Sequence, residues 1–151
     1  MLRRVLFSIL LFVIISVRLM AQNSSSFPKG EISPADNHTG TVWLKELSSP
    51  DSLFNYSFAH AFFAAGAKLD WHIHPAGQIL IITEGTGYYQ EKGKQIQVVH
   101  NGEVIKCLPG VEHWHGASPG SSFAYIAVIP AQKGKTIWLK RVTDEEYNAV
   151  K

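Results

Sequence analysis

From Thr41 onward, the chain is a series of short apolar segments separated by turn sequences, and this pattern restricts the fold more than any other feature. The predicted strands are residues 41–47, 58–63, 68–74, 78–83, 87–90, 95–100, 103–107, 112–115, 123–129 and 136–142. The predicted turns are residues 84–87, 91–94, 101–102, 109–110 and 118–120, most of which contain glycine beside a polar residue or proline. No long segment has the 3.6-residue apolar period of a helix. About ten short strands at this spacing predict an all-β sandwich or barrel.

The two ends of the chain differ from this β region. Residues 1–21 combine a basic start, an apolar run over residues 5–17 and a small residue before Gln22, which is the pattern of a secretory signal peptide. An uncleaved N-terminal anchor is the alternative, but the apolar run is short for a membrane span and Arg18 interrupts it. We therefore expect export to the periplasm or the medium, with no membrane attachment after cleavage.

The mature chain is predicted to be one domain with a polar arm in front of it. Residues 22–40 are rich in Ser, Pro and Asn and read as an extended arm, and residues 41–151 form the domain. Thr143 and Glu146 have the spacing of a capping box, which predicts a short C-terminal helix.

Charge and cysteine content exclude several classes of protein. The whole chain has 14 basic and 12 acidic residues, and loss of the three arginines in residues 1–21 leaves a mature charge near zero. Without a basic stripe, a nucleic-acid partner is not expected. One cysteine, Cys107, excludes an intrachain disulfide framework and a zinc ribbon built from cysteines. There is also no phosphate-binding loop and no nucleophile elbow.

Histidines give the strongest chemical signal. His72 and His74 are two residues apart in a predicted strand, so their side chains point to the same face. Gln78 opens the next strand, and His113 can supply a third imidazole from a strand across the barrel. Three neutral nitrogens and an amide oxygen suit a divalent ion such as Mn, Fe, Ni or Zn. For His38, His60 and His100 a structural role is the simpler interpretation.

These residues resemble the two motifs of the cupin family. The first motif is matched by Gly66, His72, His74, Gln78 and Gly85, and the second by Gly102, Gly110 and His113. The second motif departs from the family pattern at Leu108 and Ala117, neither of which occupies a ligand position. The resemblance implies a single-domain jelly-roll β-barrel with a metal held by His72, His74, Gln78 and His113.

Further sequence segments between Thr39 and Tyr147 are similar to those of one group of small bacterial cupins. That group includes manganese-dependent hydroxynitrile lyases and proteins named after carboxymuconolactone decarboxylases. The resemblance implies manganese as the metal, with Fe, Ni or Zn as alternatives, and a homodimer that forms through N-terminal strands such as residues 41–47. It also places Tyr125 where the hydroxynitrile lyases have a proposed catalytic histidine.

The expected activity is metal-dependent, lyase-like chemistry on a small hydroxy or carbonyl compound. Gln78 in place of a glutamate leaves the cation less neutralised and therefore a stronger Lewis acid. Proton transfer then needs another group, and His115 and Tyr125 are the candidates. Two alternatives remain open: oxygen chemistry by a metal-dependent dioxygenase or oxidoreductase, and a non-catalytic barrel that binds a small ligand.

Overall fold

The computed structural model describes residues 26–132 and 134–150, which form twelve strands and one short helix. The elements are β1 (Glu31–Ile32), β2 (His38–Thr39), β3 (Val42–Ser48), β4 (Tyr56–Phe63), β5 (Lys68–Leu69), β6 (His72–Ile73), β7 (Gln78–Glu91), β8 (Gln97–His100), β9 (Val104–Cys107), β10 (His113–Ala117), β11 (Phe123–Pro130), β12 (Ile137–Trp138) and α1 (Asp144–Tyr147). The all-β prediction is therefore confirmed. The predicted signal peptide, residues 1–21, lies outside the described residues and stays a prediction. Among the described residues, no helix has the length and apolar character needed to cross a membrane.

The strands form one continuous antiparallel sheet that curls on itself as a half-barrel. Its main path is β1-β3-β4-β11-β7-β10-β5-β2; β8 and β9 also pair with β7, and β6 pairs with β10 and β12. Apolar side chains from both halves meet inside, and Phe63, Leu80, Ile82 and Phe123 are the largest fully buried ones in this cluster. This packing places the inward-facing residues of β4, β7 and β11 around one interior space.

The predicted turn at residues 84–87 is wrong, because β7 runs through it as a single strand of 14 residues. The strand changes partners there: residues up to Glu84 pair with β9 or β11, whereas residues from Thr86 onward pair with β8 or β10. Gly85 has φ 74°, and a Cβ at this position would lie 1.8 Å from the Ser122 carbonyl oxygen. The glycine therefore produces a bend that carries β7 from one half of the sheet to the other, not a chain reversal.

The predicted strand 68–74 is interrupted because other segments use its backbone. The Asp70 amide donates to the Asn37 carbonyl, and the Trp71 amide donates to the Lys140 carbonyl. Two short strands, β5 and β6, result. The predicted strand 136–142 is likewise reduced to β12, which pairs with β6.

The C-terminal helix is confirmed together with its capping box. The Thr143 side chain accepts from the Glu146 amide, and the Glu146 side chain accepts from the Thr143 amide. Tyr147 is buried against Trp71 and Trp114 in a second, smaller apolar cluster. Trp71 also donates from its indole nitrogen to the Glu146 carboxylate, at 3.3 Å. The helix thus covers the outside of the strands that bear the histidines.

The described part of the predicted arm, residues 26–40, contacts both halves of the sheet. β1 pairs with β3, and β2 pairs with β5. Lys29 lies over the rings of Trp43 and Phe62, with its ammonium 3.5 Å and 4.3 Å from the ring centroids. The chain between β1 and β2 therefore passes from one half of the sheet to the other, next to the interior space.

We expect Gly85→Ala to destabilise the protein by about 2 kcal/mol or more, because the added Cβ combines a positive φ with a clash against backbone. Gly93→Ala is a matched control: Gly93 has φ 76°, but a Cβ there meets nothing within 4 Å. It should cost only the conformational strain, about 1 kcal/mol. Chemical denaturation of both variants measures the two effects, and equal losses would contradict the role of the close approach at Gly85.

Candidate metal centre

The three motif histidines come together because two short strands pair in register. His72 opens β6 and lies opposite His113, which opens β10. His74 follows one residue after β6, so its side chain projects from the same side as His72. Each of the three offers a ring nitrogen, and these nitrogens lie within 4.8 Å of one another. All three side chains are buried.

Hydrogen bonds to backbone carbonyls fix two of these rings. The Nδ1 atom of His72 donates to the Asp70 carbonyl at 2.8 Å, and that of His113 donates to the Val111 carbonyl at 2.9 Å. Since a carbonyl only accepts, each ring must carry its proton on Nδ1, which leaves the Nε2 lone pair free. Both Nε2 atoms are buried without a partner among the described residues. Such carbonyl contacts commonly orient metal-binding histidines.

Gln78 adds an oxygen to this cluster. It opens β7, is buried, and lines the same cavity as His72 and His74. Its Oε1 atom is also buried without a partner among the described residues. Buried polar atoms are normally satisfied, and a divalent cation would satisfy these nitrogens and this oxygen together. The donor set therefore fits a metal ion, and coordination by His72, His74, Gln78 and His113 stays a prediction that these contacts support.

The protonation states favour metal binding. Burial lowers the pKa of His72 well below its usual value, and the neighbouring His113 lowers it further. Burial, with help from His113, lowers the pKa of His74 to about 4, and burial also lowers the pKa of His113. The three imidazoles are therefore neutral at neutral pH, which is the form that binds a metal.

The two predicted proton-transfer residues lie next to each other. The His115 ring centroid is 5.1 Å from that of Tyr125 and 5.1 Å from that of His72. Burial lowers the pKa of His115 far below its usual value and raises the pKa of Tyr125 well above its own. Both side chains are therefore neutral. Tyr125 lines the cavity, whereas His115 lies outside the lining, and neither of its nitrogens has a hydrogen-bond partner among the described residues.

A cavity of about 210 Å³ opens beside the cluster. Its apolar wall consists of Val42, Leu44, Ala59, Ala61, Phe63, Leu69, Ala127, Ile129 and Trp138. An apolar cavity of about 150 Å³ already holds benzene in another protein. The space is therefore large enough for a small organic molecule beside His72 and His74.

The lining residues that the sequence did not single out include Ser33, Asn37, Thr136 and Trp138. They lie in the predicted arm and in the segment after β11, and only the folded chain brings them to the cavity. The remaining histidines lie elsewhere. His38 bonds to the carbonyls of Ser33 and Gly40, His60 to that of Pro28, and His100 to the Thr86 hydroxyl.

Comparison with known proteins identifies relatives of both this sequence and this fold. The cupin domain family matches residues 59–129. The (R)-mandelonitrile lyase of Granulicella tundricola is 40% identical over 116 residues, which are 76% of this chain and 88% of that protein.

Two crystal structures from Thermotoga maritima are also similar. A cupin-like protein matches with a TM-score of 0.79 and 40% identity, over 83% of this chain and 96% of the other. A predicted oxalate decarboxylase matches with a TM-score of 0.60 and 22% identity, over 76% of this chain and 96% of the other. The second similarity concerns the fold alone.

We expect Thr136→Val to weaken Mn²⁺ binding by about tenfold, because partners that orient a metal-binding histidine contribute to affinity. The Thr136 hydroxyl lies 3.2 Å from His74 Nδ1, and valine keeps the shape without the hydroxyl. Thr41→Val, at an exposed position outside the cavity, is the control. Titration calorimetry with Mn²⁺ gives both affinities. An unchanged dissociation constant for Thr136→Val would show that this contact does not orient a ligand.

Proposed function

Because the chain belongs to the cupin family, we propose that it is a metal-dependent lyase acting on a small hydroxy or carbonyl compound, with cyanohydrin cleavage as the reaction to test. The relative at 40% identity is named a mandelonitrile lyase, and mandelonitrile is a cyanohydrin with an aromatic body. The observation that carries the proposal is the meeting of neutral imidazoles and the Gln78 oxygen at an apolar cavity of suitable size.

The ligand set favours activation of a substrate oxygen. A bound divalent cation supplies Lewis acidity toward such an oxygen. His72, His74, Gln78 and His113 are the residues that would hold the ion, and none of them brings a negative charge. We propose Mn²⁺ as the ion on the resemblance given above, with Fe, Ni or Zn as alternatives.

Tyr125 and His115 are proposed to move the proton. A neutral phenol is a poor base at neutral pH, so Tyr125 cannot by itself hold the proton of a substrate hydroxyl. His115 is neutral and its ring is adjacent, but burial makes it a weak base, so it would accept a proton only from a substrate hydroxyl whose own pKa a bound cation had lowered. We assign Tyr125 as a relay: in the substrate complex its hydroxyl would turn to donate to a His115 nitrogen, which has no hydrogen-bond partner among the described residues, while its oxygen takes the substrate proton.

The proposed reaction balances without a further reactant. As the hydroxyl proton leaves the cyanohydrin, the C–CN bond breaks and its electron pair departs with cyanide, leaving an aldehyde. Return of the proton from His115 through Tyr125 converts cyanide to hydrogen cyanide. The apolar wall holds the hydrocarbon part of the substrate and limits water around the reacting atoms.

We expect the Mn²⁺-loaded protein to convert mandelonitrile to benzaldehyde, measured by benzaldehyde absorbance. Tyr125→Phe and His115→Gln should each lower kcat by about 100-fold or more, and the double variant should lose little further, since residues that act as a unit are not additive. Tyr125→His should raise the rate, because it places an imidazole directly at the cavity.

The controls separate the alternatives. Tyr56→Phe changes an exposed tyrosine outside this cavity and should leave kcat unchanged. Absence of turnover in the wild-type protein would contradict the lyase. Oxygen consumption by an iron-loaded sample would then support a dioxygenase or oxidoreductase. Loss of the fold on metal removal, without any turnover, would support the non-catalytic barrel.

We further propose that the protein is a homodimer that forms through the edge of β3. β1 covers only Trp43 and Leu44, so from Lys45 onward this edge has no strand partner in the described part of the chain. Large apolar side chains are exposed nearby, with Leu44 48% and Leu47 38% exposed. An open edge beside exposed apolar groups favours pairing with a second copy.

Size-exclusion chromatography with light scattering should give twice the chain mass. Leu47→Glu should shift the population toward the monomer, because it places a charge in the proposed interface. Leu53→Glu, which changes a side chain that is 86% exposed in the β3–β4 loop, should leave the mass unchanged. A wild-type monomer would exclude this dimer.

A further inference from the structure

The polar groups of the cavity form two sets with different surroundings. The buried set is His72, His74, Gln78 and Tyr125, of which the first three are candidate metal ligands. The half-buried set is Ser33, Asn37 and Thr136, which come from segments outside the main sheet. Thr136 contacts His74, so it belongs with the metal ligands. Neither Ser33 nor Asn37 forms a hydrogen bond with a candidate metal ligand in the described structure. Both lie in the chain between β1 and β2.

Side-chain hydrogen bonds hold carbonyls of that segment and of the residues that follow it. The buried His38 ring bonds to the Ser33 and Gly40 carbonyls at 3.3 Å and 3.1 Å. Arg141 donates to the carbonyls of Ala35 and His38, at 3.0 Å and 2.6 Å. A loop without regular backbone pairing is therefore fixed in place, and the side chains it presents to the cavity are fixed with it.

Asn37 is the residue of this segment with unused hydrogen-bonding groups. Its carbonyl accepts from the Asp70 amide at 3.0 Å, two residues before His72, which places its backbone next to the metal ligands. Asn37 is among the residues that line the cavity, and its side-chain amide makes no hydrogen bond to another described residue. One acceptor and two donors are thus available to a ligand. The Ser33 hydroxyl already donates to the Pro34 carbonyl.

Charge restricts what Asn37 can bind. No Asp, Glu, Lys or Arg is among the described residues that line the cavity, and its only ionisable groups are His72, His74 and Tyr125. The Arg141 guanidinium is engaged with backbone carbonyls and lies 3.8 Å from the Asp70 carboxylate. Apart from the proposed cation, no charged side chain of the described residues lines the cavity to balance a carboxylate or an ammonium group of the substrate beside Asn37. A neutral hydroxyl or amide group of the substrate would need only a hydrogen bond to the Asn37 carboxamide.

We propose that Asn37 is a specificity-determining residue whose carboxamide binds a second, neutral hydrogen-bonding group of the substrate. The substrate class is then a small hydroxy or carbonyl compound with an apolar body and a further hydroxyl or amide, rather than a pure hydrocarbon derivative. This inference rests on the proposed function for the position of the reacting oxygen. It goes beyond the proposed function because it assigns recognition of a second substrate group to Asn37, a residue of the predicted N-terminal arm.

Equilibrium binding to the Mn²⁺-loaded protein tests the proposal without requiring turnover. The probes are benzaldehyde and its three monohydroxy isomers, measured by titration calorimetry at a pH that keeps the phenols neutral. At least one isomer should bind about three- to tenfold more tightly than benzaldehyde, the range expected for one neutral hydrogen bond. Asn37→Leu should abolish this preference while leaving benzaldehyde affinity unchanged or higher.

Asn55→Leu is the matched control. The Asn55 carbonyl also accepts a distant amide, from Ala131 at 3.1 Å, but its side chain is exposed outside the cavity. This variant should keep the wild-type preference, and Asn37→Ala serves as a second, smaller substitution. Equal affinities for all four probes in the wild-type protein, a preference that survives in Asn37→Leu, or no binding at all would overturn the proposal. Mandelonitrile turnover is scored separately, so the lyase can fail while the Asn37 preference stands, and the reverse.

Discussion

Burial of unpartnered polar atoms is the constraint on which the rest of this structure depends. His72 Nε2, His113 Nε2 and Gln78 Oε1 are buried, and no described protein group bonds to them. Each such atom costs about 1–3 kcal/mol when it loses water without a replacement. A cluster of unpaired polar atoms would destabilise a purely structural core. A ligand that bonds to several of these atoms at once would remove the destabilisation. Binding of a metal ion at these atoms would therefore also stabilise the fold.

The centre also depends on segments far apart in sequence. The backbone amides of Asp70 and Trp71 donate to the carbonyls of Asn37 and Lys140, and this interrupts the regular strand pairing. Arg141 then ties the C-terminal segment to the carbonyls before β2. The two ends of the domain thereby enclose the strands that carry the histidines. The boundary predicted at residue 40 separates an arm from a domain in sequence, whereas in space the described part of the arm forms part of the cavity wall.

What the sequence predicted correctly was local in character. The two-residue spacing of His72 and His74 and the capping box of Thr143 and Glu146 follow from short-range geometry, and the structure contains both. The turn at residues 84–87 was wrong because glycine beside polar residues marks either a turn or a bend, and only the pairing of β7 with distant strands decides between them. Asn37 could not be assigned to the cavity for the same reason, since no local pattern relates it to Asp70.

The described residues that line the cavity include no charged side chain, and this determines how a bound cation would act on a substrate. The candidate ligands carry no charge, and burial keeps His115 and Tyr125 neutral as well. A bound divalent cation would then be the dominant charge in a place of low polarity, where its effect on a nearby oxygen is greatest. An acidic ligand in place of Gln78, or a charged residue in the apolar wall, would weaken that effect. Under the proposed function, loss of the hydroxyl proton from a substrate would be favoured, because the bound cation would stabilise the resulting oxygen anion.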